Sequence, residues 1–417
     1  MSRSLRVAFF VGAFPMTSET FVVNAAKKVL DAGHDLDIYA VDPQFRQTSE
    51  VQDTVARYDM VERTRSPHVP NGAGKLAGLA KAFGKTYARE GSKAFRLLTT
   101  PCPDGLRTKA RTIFDASALR EGASYDVIHV HFGQLSHRVL QLRRAGLLKG
   151  KVLVHFRGGD ISSYVMAQGE DVYDATFRDA DHFCANSEFF RQKAIKLGAP
   201  ADRSDVLPSG LDTSKFTFAA RTMPTEGPVR LISVGRLVEK KGFVDVIDAL
   251  PKISTDKPLR YTIIGDGPLR DELEARARAV GFGDRVEFLG AQSLDRIAQE
   301  LQNAHIFLGP SVTASDGNQD GPINTLKEAM ASGLPVVGTR HGGIPELLEH
   351  GRSGFIVPER NPTALAAAVT ELLASPERWP AMGKAGAEKV KNDYDLESTG
   401  EKMLSIYRSM LAEGARV

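Results

Sequence analysis

This chain has little to offer disulfide or metal chemistry. Of its 417 residues only Cys102 and Cys184 are cysteines, and they form no zinc or redox spacing. Two idle thiols fit a reducing compartment, so a cytoplasmic location is expected. No apolar run approaches the roughly 18 residues of a membrane span. The apolar stretch near the N-terminus, in MSRSLRVAFFVGAFP, is short and runs into a Gly/Pro loop. It reads as a first strand, not a signal peptide. Short-period repeats and long low-complexity tracts are also missing. What remains, 42% hydrophobic and 25% charged residues, is ordinary for a soluble globular protein, and the length suggests two to three domains.

The net charge of +3 is unevenly placed. Between Arg57 and Arg120 stand thirteen Lys and Arg against five acids. Leu76, Leu79, Phe83, Phe95, Leu97 and Leu98 give this stretch the apolar content of an amphipathic helix. It reads either as a solvated basic surface or as a contact for an anionic membrane. Nucleic acid is not expected, because no recognisable binding motif accompanies the charge.

Strand and helix patterns alternate. Arg6 to Val11 is a strand, Thr20 to Leu30 a helix closed by Gly33, and Leu36 to Val41 the next strand. This βαβ opening predicts a doubly wound α/β sheet, whose ligands gather outside the carboxyl ends of the strands. Gly12 stands at such an end, where a backbone can approach a ligand. Further strands are predicted at Tyr125–His131, Val152–Phe156, Phe183–Ser187, Leu231–Val234, Tyr261–Ile264, Val286–Gly290 and Ile306–Leu308. His129 and His131 share one face of their strand. Two histidines could suggest a metal, but no third ligand stands in a recognisable pattern, so no metal is expected. Arg157 and Asp160, in the loop RGGD, either pair with each other or bind a ligand. A boundary near 207–212 starts a second strand-first domain.

In that second domain the loop Gly235–Gly242 holds Arg236 and Lys241 between a strand end and a helix start. A helix start favours phosphate. A guanidinium and an ammonium there suit a pyrophosphate, although solvated loop cations are the plain alternative. The run Ser315–Pro345 reads as a polar loop, a helix from Pro322 to Met330 capped by Gly333, a buried strand Leu334–Val337 and a Gly342–Gly343 turn. Asp320 and Glu328 flank the start of that helix with seven residues between them. Each alone could be a helix-terminus or surface acid.

Together these residues resemble the acidic-x7-acidic signature of the retaining glycosyltransferases of family 4, which have the GT-B fold. The chain keeps Gly321, Glu328, Ala329, Met330, Gly333, Pro335, Val336, Val337, Thr339, Gly342, Gly343, Pro345 and Glu346 of that pattern. It departs at the first acid, Asp320 in place of Glu, and at Pro322 and Ile323. The loop of Arg236 and Lys241 resembles the family's VGRLxxxKG, and Ile263–Pro268 its IIGDGP turn. The wording DGNQDGPxNxLxEAM is similar to enzymes of bacterial capsule and exopolysaccharide assembly of the colanic-acid type.

The resemblance implies two Rossmann-like domains, here 1–210 for the acceptor and 211–391 for a nucleotide-sugar, with residues 392–417 packing back on the first. It implies hexose transfer from a UDP- or GDP-sugar to a glycan or lipid-linked glycan, with retained configuration and no metal. Arg236 and Lys241 are then the diphosphate ligands, and Glu328 holds the ribose. Asp320, with amides near Ile323 and Asn324, holds the donor sugar. Gly12, Gly265, Val286 and Phe288 complete the donor side. His131 contacts the transferred sugar. Ser18 and Glu19, in a turn resembling a SETF sequence of polysaccharide-type members, join Arg157 and Asp160 on the acceptor side. Two alternatives stay open: a nucleotide-sugar-binding module without catalysis, and an epimerase or phosphorylase on the same fold.

Overall fold

The computed structural model describes residues 3–16, 20–42, 49–70, 72–102 and 105–413. Ser18 and Glu19 lie outside them. Contacts divide the chain into two units. The first comprises Met1–Asn186, Arg191–Leu207 and Gly400–Val417; the second comprises Ser187–Phe190 and Pro208–Thr399.

The first unit is built on a seven-stranded sheet: β1 (Arg6–Ala13), β2 (Asp35–Asp42), β3 (Thr64–Arg65), β4 (Ser124–His131), β5 (Lys149–Phe156), β6 (His182–Ala185) and β7 (Ser204–Val206). Its order is β3-β2-β1-β4-β5-β6-β7, with every neighbouring pair parallel. Buried parallel strands need apolar residues on both faces, which is why VAFFV and VLV are unbroken apolar runs. The order reverses between β1 and β4, so the crevice outside their carboxyl ends is the place for a ligand. Gly12 and His131 stand at those ends. The C-terminal helix Leu396–Glu413 supplies Met403, Leu404, Ile406, Tyr407 and Met410 to the core around Phe9, Val22 and Ile38.

The second unit is a six-stranded sheet: β8 (Val229–Val234), β9 (Leu259–Ile264), β10 (Val286–Gly290), β11 (Ile306–Gly309), β12 (Val336–Thr339) and β13 (Phe355–Val357). The order β10-β9-β8-β11-β12-β13 is again all parallel and reverses between β8 and β11. One core packs against helices Phe243–Ala249 and Pro362–Ala374 and contains Trp379; another packs against helix Asn324–Ala331.

The signature helix begins later than its proline suggested. Ile323 is the cap residue, in extended backbone, and Asn324 is the first helical position. Pro322 stands before the cap, packed so closely on the next turn that a Cβ at Gly343 would lie 2.5 Å from its Cδ. In the basic stretch, Leu97 is a core residue, while Leu76, Tyr87, Phe95, Leu98 and Leu106 are exposed beside the lysines and arginines. Among the described residues no helix is long and apolar enough to cross a membrane.

Candidate active site

At the switch point of the second sheet, the loop after β8 and the loop after β11 meet through an ion cluster. Lys241 and Lys240 follow one another in a 3-10 turn, Glu239–Lys241. Lys241 Nζ lies 2.7 Å from Asp320 Oδ2, and Lys240 Nζ lies 2.9 Å from Asp320 Oδ1. Ser311 Oγ donates to Asp320 Oδ2 at 3.0 Å. Burial alone would raise the Asp320 carboxyl, but the two ammonium groups outweigh it and hold the acid well below its ordinary range. Lys241 is pushed down, first by burial, with Lys240 and Arg236 adding repulsion and Asp320 opposing it. Its stem runs over Gly235, with Cδ and Cε 3.6 Å from where a Cβ there would be. Arg236 is exposed at the end of β8.

Two hydrogen bonds fix the Asp320 backbone from the far side. Its N–H donates to His341 Nε2 at 2.9 Å, so the other ring nitrogen, Nδ1, carries the proton and donates to Glu359 at 2.7 Å. Gly343 donates to the Asp320 carbonyl at 3.3 Å. Gly342, at φ +49°, passes so close to that carbonyl that a Cβ would lie 1.9 Å from its oxygen, which only glycine tolerates. Thr313 N–H completes the frame on Glu359 at 2.7 Å. Sequence reasoning named Asp320 and Lys241. It missed Lys240, Ser311, His341 and Glu359, whose link to them exists only in three dimensions; His341, beside the glycine pair, was the one visible clue.

Glu328 lies in the helix, 9% exposed, and burial pushes its carboxyl up to about 7 against the pull of Lys327. Among the described residues its carboxylate has no hydrogen-bond partner. Lys327 is fully buried and turns elsewhere, donating to the Ser209 carbonyl at 2.7 Å and lying 5.1 Å over the Tyr394 ring. Thr325 Oγ1 donates to Val234 O at 3.0 Å, fastening the helix start to the end of β8.

The glycine ends of β8, β9 and β10 are laced together. Gly235 donates to Ile264 O at 2.9 Å and Gly265 to Gly290 O at 2.8 Å. A Cβ at Gly265 would stand 1.9 Å from the Gly235 carbonyl oxygen. Gly265 therefore holds two loops together, whatever else it does. Val286 begins β10, and its side chain packs in the apolar core. Phe288, nearer the carboxyl end, is partly open, with the Arg270 guanidinium 6.0 Å from its ring.

In the first unit, three histidines come together. His129 and His131 on β4 meet His155 on β5, and their ring nitrogens lie within 4.8 Å of one another. The third histidine that sequence spacing did not show is therefore present, because pairing of β4 with β5 sets His131 opposite His155. Its chemistry is not that of an open metal triad. Arg157 Nη2 is 3.2 Å from His131 Nδ1 and 3.1 Å from His155 Nδ1, and Tyr407 Oη is 2.7 Å from His129 Nδ1. Burial, then neighbouring positive charge, pushes all three imidazoles well below their ordinary range. His131 is fully buried. The Arg157 guanidinium also lies 4.1 Å over the Phe21 ring.

Asp160 does not pair with the Arg157 side chain. Its Oδ1 accepts the N–H groups of Arg157 and Gly158 at 2.9 and 2.8 Å, and its Oδ2 accepts that of Gly133 at 2.8 Å. Buried and occupied by three backbone donors, it ties the turn after β5 to the turn after β4 and has no oxygen turned to a ligand. Gly12 has nothing within 4 Å of where a Cβ would be, so packing does not demand glycine there.

Comparison with known proteins matches two family profiles. Residues 17–210 match the glycosyl transferase 4-like domain, and residues 215–389 match the glycosyl transferases group 1. The chain is 31% identical to the putative colanic acid biosynthesis glycosyltransferase WcaL of Escherichia coli (strain K12), over 97% of this chain and 100% of that one. It is 32% identical to the amylovoran biosynthesis glycosyltransferase AmsK of Erwinia amylovora, over 88% and 90%. Among solved structures, Anabaena Alr3699/HepE in complex with UDP-glucose is similar in fold, with a TM-score of 0.70, 17% identity and coverage of 97% and 100%.

Proposed function

The chain belongs to the group 1 glycosyl transferases and is a glycosyltransferase, and from this we propose that it moves a hexose from a nucleotide-sugar to a glycan or lipid-linked glycan in cell-surface polysaccharide synthesis. The observation that carries the donor reading is the cluster of Lys240, Lys241 and Asp320 beside Arg236, at the switch point of the second sheet. Two ammonium groups and a guanidinium suit a leaving diphosphate, whose charge grows as the glycosidic bond breaks. This neutralisation comes from protein cations and needs no metal. As the diphosphate takes up the lysine charge, Asp320 is released toward the sugar hydroxyls, with the amides near Ile323 and Asn324. Glu328, whose carboxylate has no hydrogen-bond partner among the described residues, takes the ribose hydroxyls. Configuration is retained, and no residue of the chain acts as a nucleophile.

Relatives of colanic acid and amylovoran synthesis support the polysaccharide role, and HepE, solved with UDP-glucose, supports a UDP-sugar. Another relative, 28% identical over 69% of this chain, is a GDP-mannose-dependent mannosyltransferase of Mycobacterium tuberculosis, so a GDP-sugar competes. The exposed Leu76, Tyr87, Phe95, Leu98 and Leu106, set among basic residues, support contact with an anionic membrane surface on its cytoplasmic side.

A thermal-shift screen of UDP-, GDP- and ADP-sugars on wild type and Glu328→Ala tests the donor site. One nucleotide raising the melting temperature of wild type and not of the variant is the expected result. Equal shifts in both proteins would remove Glu328 from the site.

A further inference from the structure

The three histidines, Arg157 and Tyr407 have one consistent assignment of protons, and it follows from the arginine. A guanidinium only donates. Arg157 Nη2 reaches Nδ1 of both His131 and His155, so both of these nitrogens are acceptors. His129 Nε2 is 3.3 Å from the same His155 Nδ1, so it must be the donor of that pair. His129 Nδ1 is then bare and accepts the Tyr407 hydroxyl proton at 2.7 Å. The remaining protons fall on Nε2 of His131 and of His155. Both of these nitrogens are buried and have no partner among the described residues. The rings of His129 and His131 are held face to face at 4.0 Å with 16° between planes, and the Phe9 ring lies edge-on to both, 4.6 Å from His131 and 5.4 Å from His129.

We propose that Arg157 and Tyr407 are positioning residues that fix His131 as a neutral imidazole with its proton on Nε2, so that it donates a hydrogen bond and never accepts a proton. Tyr407 acts through His129 and His155; Arg157 acts on His131 directly. This rests on the reading that His131 serves the transferred sugar. A positive charge develops on that sugar as its bond to the diphosphate breaks, and a protonated His131 would oppose it. Among the described residues, the charged and titratable groups facing His131 are His129 on its own strand, His155 on β5, and Arg157 in the loop that follows. Asp160, in that same loop, has both oxygens turned to backbone N–H groups. The arrangement also gives the C-terminal helix a part in the site: residue 407 sets a proton on residue 129 and, through it, on the ring that shares Arg157 with His131.

The test is nitrogen NMR of the full chain labelled at histidine, with His131 identified by its loss in His131→Gln. Wild type is expected to show His131 protonated on Nε2 alone, unchanged from about pH 5.5 to about pH 8.5. Arg157→Gln removes the donor that holds Nδ1 as an acceptor, so His131 should show a second tautomer. Tyr407→Phe should move the proton on His129 while leaving the fold intact. A wild-type His131 that carries its proton on Nδ1, or that titrates, overturns the proposal. So do tautomers left unchanged by both variants. If Arg157→Gln fails to fold, wild type and Tyr407→Phe decide it. The NMR result stands whether or not transfer is observed, so a failed sugar reading and a failed tautomer assignment are told apart.

Discussion

Raising the pH from about 5 to about 8 should weaken the second unit and strengthen its grip on donor, both through Glu328. Burial raises this carboxyl from its ordinary 4.5 to about 7 in the native state. The native state therefore holds the proton over a range where the unfolded chain has released it. The stability this gives is complete below about 4.5 and is lost as pH rises through about 7. Between an ordinary 4.5 and about 7, this corresponds to about 3 kcal/mol in full. The single tryptophan, Trp379, is buried in the core of the same unit, so its fluorescence reports unfolding of that unit in urea. Wild type should lose between about 2 and 3 kcal/mol across this range relative to Glu328→Gln, which has no proton to release. Donor binding should run the other way. A ribose needs the carboxylate as acceptor, and only about one in ten is ionised one unit below the pKa. Affinity for the nucleotide-sugar should thus rise roughly tenfold between about pH 6 and about pH 8, by calorimetry, and be flat in Glu328→Gln. Parallel pH slopes for wild type and variant, in stability and in binding, would refute the reasoning.

Lys241→Ala should weaken donor binding at least about tenfold, read as a rise in KM or a lost thermal shift, because the remaining Lys240 is paired with Asp320. Asp320→Asn should do the opposite to the nucleoside diphosphate product, binding it more tightly while abolishing transfer, since both lysines lose their internal counter-ion; unchanged product affinity would argue against the exchange of partners. Flotation with vesicles containing anionic lipid should carry the protein upward at low salt, less at high salt. Replacing the exposed Leu76 and Leu106 with Glu should abolish it, and no salt-sensitive flotation in wild type would remove the membrane contact.

The sequence by itself determined the two doubly wound sheets, since alternating strand and helix patterns with unbroken apolar strands admit little else. It also located Asp320, Glu328, Arg236 and Lys241, because strand ends, helix starts and fixed spacing are local properties. It marked the glycines as well; Gly265 and Gly342 sit where carbonyl oxygens leave no room for a Cβ. Only the tertiary structure decided what these groups meet. Asp320 and Lys241 are seventy-nine positions apart and join as an ion pair because the β8 and β11 loops flank the reversal of strand order. Asp160 appeared as a partner for Arg157 or a ligand, and turned out to hold backbone N–H groups that no spacing could reveal. That the Val286 side chain packs in the core, at the start of its strand, was likewise a matter of the fold. His131 looked like half of a pair; its neighbours His155 and Arg157 come from the next strand and the loop after it, and Tyr407 closes the network from the last helix. Local chemistry is written in the order of residues, whereas the protonation and partners of a buried group depend on which distant segments the fold packs around it.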